Sequence, residues 1–221
     1  MSGSTIERRA TPLRLARKFD TVQDVYEGHK NRVRRRVLPQ LIPAGGVGAE
    51  LGVHKGHLTP GLIEWLKPTH LYVVDPWYLL GPTWDWAAGD RSTVAGLRTV
   101  IKRLKPHLEA GTAEVVIADD REFLASLPDG RLDWVYVDSS HAYEHTVQEL
   151  ELLVTKVRPG GVIAGDDWQP DPTDRHHGVC RAVREFADAG RIELFHSDHR
   201  TRQWAARTPA VSPRERAPQT R

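Results

Sequence analysis

Short apolar runs alternate with helically spaced apolar residues through most of this chain, and this alternation is the strongest constraint on its fold. Strands that alternate with helices form a mostly parallel sheet with helices on both faces. The sequence therefore predicts an α/β domain with a seven-stranded, mostly parallel sheet. The apolar runs predict strands at Val47–Val53, Leu71–Asp75, Ala113–Ala118, Leu132–Asp138, Val162–Asp166, Ile192–His196 and Gln203–Ala206. The helical spacing predicts helices at His57–Leu66, Thr93–Leu104, Arg121–Ala125, Tyr143–Val157 and Val179–Ala189.

Charge divides the chain into three parts. The formal net charge of the 221 residues is only +2, but residues 1–40 carry +6, residues 207–221 carry +3, and the segment between them carries −7. We therefore predict a basic helical arm over residues 1–43, ended by Pro39 and Pro43, the α/β domain over 44–206, and a disordered basic tail over 207–221. The acidic body is where we expect bound cations.

Composition argues against several classes of protein. A membrane helix needs an apolar run of about 20 residues, and the sequence contains none. The first ten residues lack the apolar core of a secretory signal, so we expect a cytoplasmic protein. The single cysteine, Cys180, excludes an intramolecular disulfide and disfavours a cysteine-based zinc site.

The basic segment Arg32-Val33-Arg34-Arg35-Arg36 permits two interpretations. It could contact nucleic acid, but a run of charge is more often a solvated helix face, and we favour that interpretation. We expect neither a nucleic-acid nor a membrane partner. The sequence leaves the oligomeric state open, a homodimer included.

Acidic residues stand at or just after the ends of the predicted strands. The carboxyl ends of parallel strands meet at one edge of the sheet, where such folds bind ligands. One or two of these acids could cap a helix, but several carboxylates at one edge repel each other unless a cation or a hydroxyl-rich ligand relieves them. The acids are Glu50, Asp75, Asp119-Asp120, Asp138 and Asp166-Asp167.

The first predicted strand leads into Glu50-Leu51-Gly52-Val53-His54-Lys55-Gly56-His57, whose glycines permit a sharp turn and a close approach of a ligand. The glycine spacing differs from G-x-G-x-x-G and disfavours an NAD-binding oxidoreductase. Asp75 ends the next strand, where a carboxylate can accept hydrogen bonds from ribose hydroxyls. The turn and this acid together predict an adenosyl cofactor.

These residues resemble motifs I and II of class I S-adenosylmethionine-dependent methyltransferases, and the strand and helix order fits the Rossmann-like fold of that class. The resemblance implies S-adenosylmethionine as cofactor, with the Gly52 turn at its methionine end and Asp75 on its ribose. It also implies that Asp119 contacts adenine, whereas we expect Asp120 to be a helix N-cap. The cofactor-binding residues on this interpretation are Glu50, Gly52, Gly56, Asp75, Asp119 and Asp138.

Asp138 follows the fourth predicted strand and Asp166-Asp167 ends the fifth, which predicts three carboxylates at one point. Oxygen ligands favour Mg²⁺, or another hard divalent cation, over zinc. The pattern is similar to metal-dependent O-methyltransferases of the catechol type and of the type that tailors macrolide sugars and other natural products. That resemblance implies Mg²⁺ on Asp138, Asp166 and Asp167, and a small hydroxylated molecule as methyl acceptor.

The general base departs from both subfamilies. The catechol type has a lysine where this chain has His141, and the sugar-tailoring type has an aspartate where it has Ser140. An imidazole, with a pKa of about 6.5, suits proton abstraction from a hydroxyl, so we predict His141 as the catalytic residue. A purely structural histidine at the start of the next helix is the alternative.

Two further segments could line the acceptor site. Aromatic residues near Asp75 predict either a lid or a packed surface, and His176-His177 lies in a loop that could line the acceptor entrance or bind a metal. A metal-independent N- or O-methyltransferase, an NAD-binding oxidoreductase and an RNA-binding protein are the alternative functions. The aromatic residues are Trp77, Tyr78, Trp84, Trp86 and, after the acidic pair, Trp168.

Overall fold

A computed structural model describes residues 13–78 and 91–210 of the chain. Within these ranges the helices are α1 (Leu13–Leu41), α2 (Thr59–Leu66), α3 (Arg91–Glu109), α4 (Asp120–Ser126), α5 (Tyr143–Lys156) and α6 (His177–Asp188). The strands are β1 (Val47–Leu51), β2 (His70–Val74), β3 (Ala113–Val116), β4 (Leu132–Val137), β5 (Val157–Gly165), β6 (Glu193–Asp198) and β7 (Gln203–Arg207). No helix of the described ranges is both long and apolar enough to cross a membrane.

The seven strands form one sheet in the order β3-β2-β1-β4-β5-β7-β6. The first five strands run parallel, and β7 pairs antiparallel with both β5 and β6. This topology confirms the predicted α/β fold with a mostly parallel, seven-stranded sheet.

Side chains of the central strands alternate between two apolar layers, as the two-residue period of a strand requires. Leu71 and Val73 of β2 pack with α1, α2 and α3, whereas Val74 packs with α4, α5 and α6 on the opposite face. Helices therefore cover both faces of the sheet, and the two cores account for the nearly continuous apolar character of the strands.

The ends of α1 and α5 lie close to their predicted positions. Helix α1 ends at Leu41, between Pro39 and Pro43, so Pro39 lies in its last turn. Helix α5 ends at Lys156, and the segment from Pro159 to Gly161 is part of β5 rather than a loop before it. Thr208 pairs with this segment: its backbone N–H donates to Gly161 O and its backbone carbonyl accepts from Gly160 N.

The C-terminal half of α1 packs on the α/β domain. Leu38 and Ile42 are fully buried in the layer that contains α2 and α3. Asn31 Nδ2 donates to the backbone carbonyl of His57 over 2.7 Å. Register places the ends of the central strands side by side, since Leu51 pairs with Val137, which in turn pairs with Gly165. The acids that follow these strands therefore meet at one edge, within reach of α1.

Candidate active site at the carboxyl edge of the sheet

The turn after β1 is held by the acid that follows β2. Asp75 Oδ2 accepts hydrogen bonds from the backbone N–H groups of Val53, at 3.0 Å, and His54, at 2.7 Å. Gly52 has a φ of +83°, and a Cβ at this position would lie 2.1 Å from the backbone oxygen of Asp138. Only glycine fits there, so β1 can turn directly against the end of β4.

Glu50 lies inside β1 and is 2% exposed. Burial raises its pKa to about 8, against a hydrogen bond with Thr59 that lowers it. Its Oε2 has no hydrogen-bond partner among the described residues. At neutral pH this carboxyl is therefore largely protonated, and a cationic ligand nearby would favour its ionised form.

The N-cap role predicted for Asp120 belongs to Asp119. Asp119 is the N-cap of α4, and its carboxylate accepts from the backbone N–H of Arg121 at 3.0 Å. It also pairs with the Arg121 guanidinium at 2.8 Å, and this hydrogen bond lowers the pKa of Asp119 to about 2. Asp120, the predicted cap, lies in the first turn and contacts His145 instead. The predicted adenine contact of the Asp119 side chain therefore competes with Arg121.

Asp138, Asp166 and Asp167, called the edge cluster below, converge as predicted: one ligand oxygen from each lies within 4.8 Å of the others. Cations from α1 already contact two of them. Arg34 donates through one nitrogen to Asp138 at 2.8 Å and to Asp166 at 2.5 Å. Lys30 Nζ lies 2.8 Å from the same Asp166 oxygen.

The start of the antiparallel strand β7 adds Gln203, and the residue before it adds Arg202, to the edge cluster, because this end of β7 lies at the carboxyl end of β5. Gln203 donates to Asp166 Oδ1 at 2.6 Å and accepts from the Tyr136 hydroxyl at 2.9 Å. The guanidinium of Arg202 lies 2.9 Å from Asp167 Oδ1. Every carboxylate of the edge cluster is therefore paired with a lysine or an arginine.

His141 is paired with Asp167. Its Nδ1 lies 2.9 Å from Asp167 Oδ2. Burial alone would lower the pKa of His141, but the hydrogen bond and charge of Asp167 outweigh it and raise the pKa above 6.5. Burial alone would also raise the pKa of Asp167, but His141, His176 and Arg202 hold it well below its usual range. The pair therefore contains an ionised carboxylate that fixes one nitrogen of the imidazole.

His176 completes this group and was not assigned a specific contact from the sequence. Its ring lies 4.4 Å from that of His141, and its Nδ1 lies 3.2 Å from Asp167 Oδ2. Arg175 Nε donates to His176 Nε2 at 2.7 Å, so Nε2 is unprotonated and the neutral ring carries its proton on Nδ1, facing Asp167. Burial, together with nearby positive charge, lowers the pKa of His176 and keeps the ring neutral.

The basic segment of α1 is a solvated helix face, as predicted, for most of its arginines, but this interpretation is wrong for one of them. Arg32, Arg35 and Arg36 are exposed, but Arg34 is 2% exposed and lies in the edge cluster. The spacing of residues along the helix could have indicated that Arg34 is buried. Arg34 stands four residues before the buried Leu38 and therefore on the same helix face.

The aromatic residues contribute less to this edge than predicted. Trp77 and Trp168 are buried in the two cores, so neither belongs to a lid. Trp77 Nε1 also donates to the backbone oxygen of His54 at 2.7 Å. Tyr78 is half exposed. Trp84 and Trp86 lie outside the described residues.

Comparison with known proteins agrees with this geometry. Residues 49–168, more than half of the chain, match the sequence profile of a family described as a methyltransferase domain. The chain belongs to this methyltransferase family. The predicted enzyme class, an S-adenosylmethionine-dependent methyltransferase with a class I fold, is thereby confirmed. No curated protein sequence matches the methyltransferase.

Solved structures share the fold of the methyltransferase at low sequence identity. A putative S-adenosylmethionine-dependent methyltransferase from Methanococcus maripaludis is 10% identical, with a TM-score of 0.63 over 95% of this chain and 98% of that one. A putative rRNA methylase from Clostridium thermocellum is 11% identical, with a TM-score of 0.55 over 79% and 95% of the two chains. An S-adenosylmethionine-dependent methyltransferase from Aquifex aeolicus is 15% identical, with a TM-score of 0.50 over 77% and 85%.

The edge cluster suits Mg²⁺ by donor type but not by charge. Three carboxylates with converging oxygens are a plausible donor set for a hard cation. In the methyltransferase, however, Lys30, Arg34 and Arg202 place three permanent positive charges on these three negative charges. A resident divalent cation would add two uncompensated charges at a largely buried position, or would have to displace Arg34 and Lys30.

Arg34→Ala is expected to destabilise the methyltransferase by about 3 kcal/mol, because it removes the cation shared by the buried carboxylate of Asp166 and the partly buried carboxylate of Asp138. Arg36→Ala, an exposed arginine of the same helix, should change the free energy of unfolding by about 0.5 kcal/mol or less. Urea unfolding measures both. Adding Asp138→Asn to Arg34→Ala should recover part of the loss, since it removes an unpaired charge. Strictly additive effects of the two substitutions would contradict the contact.

Proposed function

We propose that the protein transfers the methyl group of S-adenosylmethionine to a hydroxyl group of a small molecule, with His141 as general base. The observation that carries this proposal is the pairing of His141 with Asp167 at 2.9 Å, at the sheet edge that also carries Asp75 and the Gly52 turn. The acceptor oxygen attacks the methyl carbon, the carbon–sulfur bond breaks, and S-adenosylhomocysteine leaves. The hydroxyl proton passes to His141.

The turn after β1 and the end of β2 supply the cofactor site. Asp75 uses Oδ2 to hold the turn, so Oδ1 is the oxygen left for the ribose. Gly52 and Gly56, both with positive φ, admit the methionine end close to the backbone. Positive charge on the cofactor would favour ionised Glu50, whose Oε2 finds no partner in the described part of the chain.

The proton-accepting nitrogen of His141 is Nε2. Asp167 holds the Nδ1 side of the ring, so a neutral His141 keeps its proton on Nδ1 and offers the lone pair of Nε2. This is the arrangement in which a carboxylate fixes the tautomer and stabilises the imidazolium that forms. A raised pKa makes the imidazole a stronger base at the cost of a smaller neutral fraction near pH 6.5.

Mg²⁺-assisted transfer is the second candidate, favoured by the convergence of Asp138, Asp166 and Asp167. When bound there, Mg²⁺ would acidify the acceptor hydroxyl. The charge balance of the edge cluster supports transfer without it, because Arg34 and Lys30 already contact the carboxylates of Asp138 and Asp166.

Asp75→Ala should weaken S-adenosylmethionine binding by about 10- to 100-fold, because it removes the ribose acceptor and loosens the turn. Asp188→Ala, an exposed aspartate at the end of α6, is the matched control and should leave affinity unchanged. Isothermal titration with S-adenosylmethionine and S-adenosylhomocysteine measures both. Equal affinities of Asp75→Ala and the parent would remove the ribose assignment.

His141→Ala should lower turnover by about 10²- to 10⁴-fold while leaving cofactor affinity unchanged. Acceptors are found first by following S-adenosylhomocysteine release with a panel of phenols, catechols, sugars and amines. Turnover of the parent should rise with pH to a midpoint above 6.5, because the base must be neutral and its pKa is raised. His199→Ala, an exposed histidine, is the control. Methylation of amines alone, or full turnover without His141, would contradict O-methylation by this base.

Addition of MgCl₂ to enzyme dialysed against chelator should change turnover by less than about twofold, because permanent cations already neutralise the edge cluster. The comparison is between the same dialysed preparation with and without MgCl₂. Activation by about tenfold or more, abolished by Asp166→Asn with Asp167→Asn, would instead establish the metal-assisted mechanism.

A further inference from the structure

A second group of side chains with potential metal-ligand atoms lies between α4 and α5. Asp120 is in the first turn of α4, and His145 and Glu149 stand one helical turn apart on α5. One ligand atom from each of these three residues, called the helix cluster below, lies within 4.8 Å of the others.

The helix cluster has the separations expected of a shared ligand. His145 Nε2 lies 2.9 Å from Asp120 Oδ2 and 3.8 Å from Glu149 Oε1. Ligands that bind one Zn²⁺ tetrahedrally at bonds of 2.0–2.1 Å are separated from each other by about 3.3 Å. The two observed distances lie on either side of that value, so small side-chain rotations would bring the atoms onto a common ion.

The carboxyl group of Glu149 is independent evidence for a bound ligand. Its side chain is fully buried, and Oε2 makes no hydrogen bond with any residue that the structure describes. Ser139 Oγ donates to the other oxygen, Oε1, at 2.5 Å and so fixes the carboxyl group. Burial and the charge of Asp120 raise the pKa of Glu149 well above its usual range. A buried carboxyl of this kind needs either a proton or a cation.

Charge distinguishes the helix cluster from the edge cluster. The edge cluster has a lysine or an arginine on each carboxylate. In the helix cluster the nearest arginine, Arg121, lies 3.9 Å from Asp120 and makes its closer contact, at 2.8 Å, with Asp119. The close contacts of the Asp120 carboxylate are with the His145 imidazole, at 2.9 Å, and with the backbone N–H of Arg121, at 2.8 Å, and neither group carries a permanent positive charge. Two carboxylates with a neutral imidazole carry a net charge of −2, which one divalent cation would balance.

We propose that Asp120, His145 and Glu149 bind a divalent transition-metal ion of the Zn²⁺ or Mn²⁺ class. One imidazole nitrogen and two carboxylate oxygens suit these ions better than Mg²⁺, which prefers oxygen alone. Ser139 acts as a positioning residue through its hydrogen bond to Glu149. The ion would join the start of α4, the loop after β4 and the middle of α5. Its role is therefore structural, and it does not depend on the proposed methyl transfer.

The competing state is a shared proton, with Glu149 neutral and His145 charged beside Asp120. The two states differ in what they bind. The metal site takes up a stoichiometric ion and releases protons, whereas the proton-sharing state binds no ion at micromolar concentration. The test is therefore direct metal titration of the untagged full-length protein after dialysis against chelator.

ZnCl₂ and MnCl₂ are titrated separately by calorimetry, with MgCl₂ as the comparison ion. We expect binding of one Zn²⁺ or Mn²⁺ per chain and a rise of several degrees in Tm at saturating ion. His145→Gln, which changes a partly exposed side chain, should weaken this binding by about tenfold or more. His176→Gln, which changes a histidine beside Asp167 of the edge cluster, is the matched control and should leave the affinity for Zn²⁺ and Mn²⁺ unchanged.

A visible spectrum keeps the test independent of stability. Co²⁺ added to the dialysed protein should give absorption bands of a low-coordinate site, and these bands should be lost in His145→Gln. Stoichiometric binding that His145→Gln weakens and His176→Gln preserves supports the proposal. Absence of saturable binding, or equal affinity of His145→Gln and the parent, overturns it in favour of the shared proton. Loss of binding only in His176→Gln also overturns it and places the ion beside Asp167.

Discussion

Charge neutralisation at the carboxyl edge of the sheet is the constraint on which the rest of the site depends. Parallel register brings Asp138 and Asp166 onto adjacent strand ends, and burial makes their mutual repulsion costly unless cations accompany them. Helix α1 and strand β7, which lie outside the parallel part of the sheet, bring Arg34 and Arg202 to these acids. The packing of α1 therefore serves the site as well as the core, since Leu38 anchors the turn that follows Arg34.

Features encoded by short-range patterns could be predicted from the sequence. The strands follow from apolar runs, and the convergence of three aspartates follows from strands that end together. Arg34 could not be placed in the same way, because Asp166 stands 132 residues away and nothing local marks the contact. Whether a charged side chain of an amphipathic helix is buried can be predicted only when its partner is known. The four-residue spacing to Leu38 restricts its direction but does not identify that partner.

Two further errors have separate physical origins. Asp119 and Asp120 are equally good N-cap residues by type, and the choice depends on which residue has the extended backbone that precedes a helix. Asp119 has it, with φ −62° and ψ 138°, so α4 begins one residue earlier than predicted. Trp77 and Trp168 also follow strand ends, as a lid would, but the ends of the strands adjoin both apolar layers. Large aromatic side chains are stabilised by burial there.

The residues around Asp167 in the edge cluster show how neighbouring charges can fix the tautomer of a histidine. His141, His176 and Arg202 together lower the pKa of Asp167 and keep it ionised, and the ionised carboxylate lies 2.9 Å from Nδ1 of His141, so that Nε2 is the free nitrogen of a neutral ring. Arg175 donates to Nε2 of the neighbouring His176, which leaves the proton of this neutral ring on Nδ1, 3.2 Å from the same carboxylate. Methyl transfer from a sulfonium requires mainly alignment and exclusion of water. In the methyl transfer proposed above, removal of the hydroxyl proton is the step that needs a titrating group, and Nε2 of His141 would accept that proton.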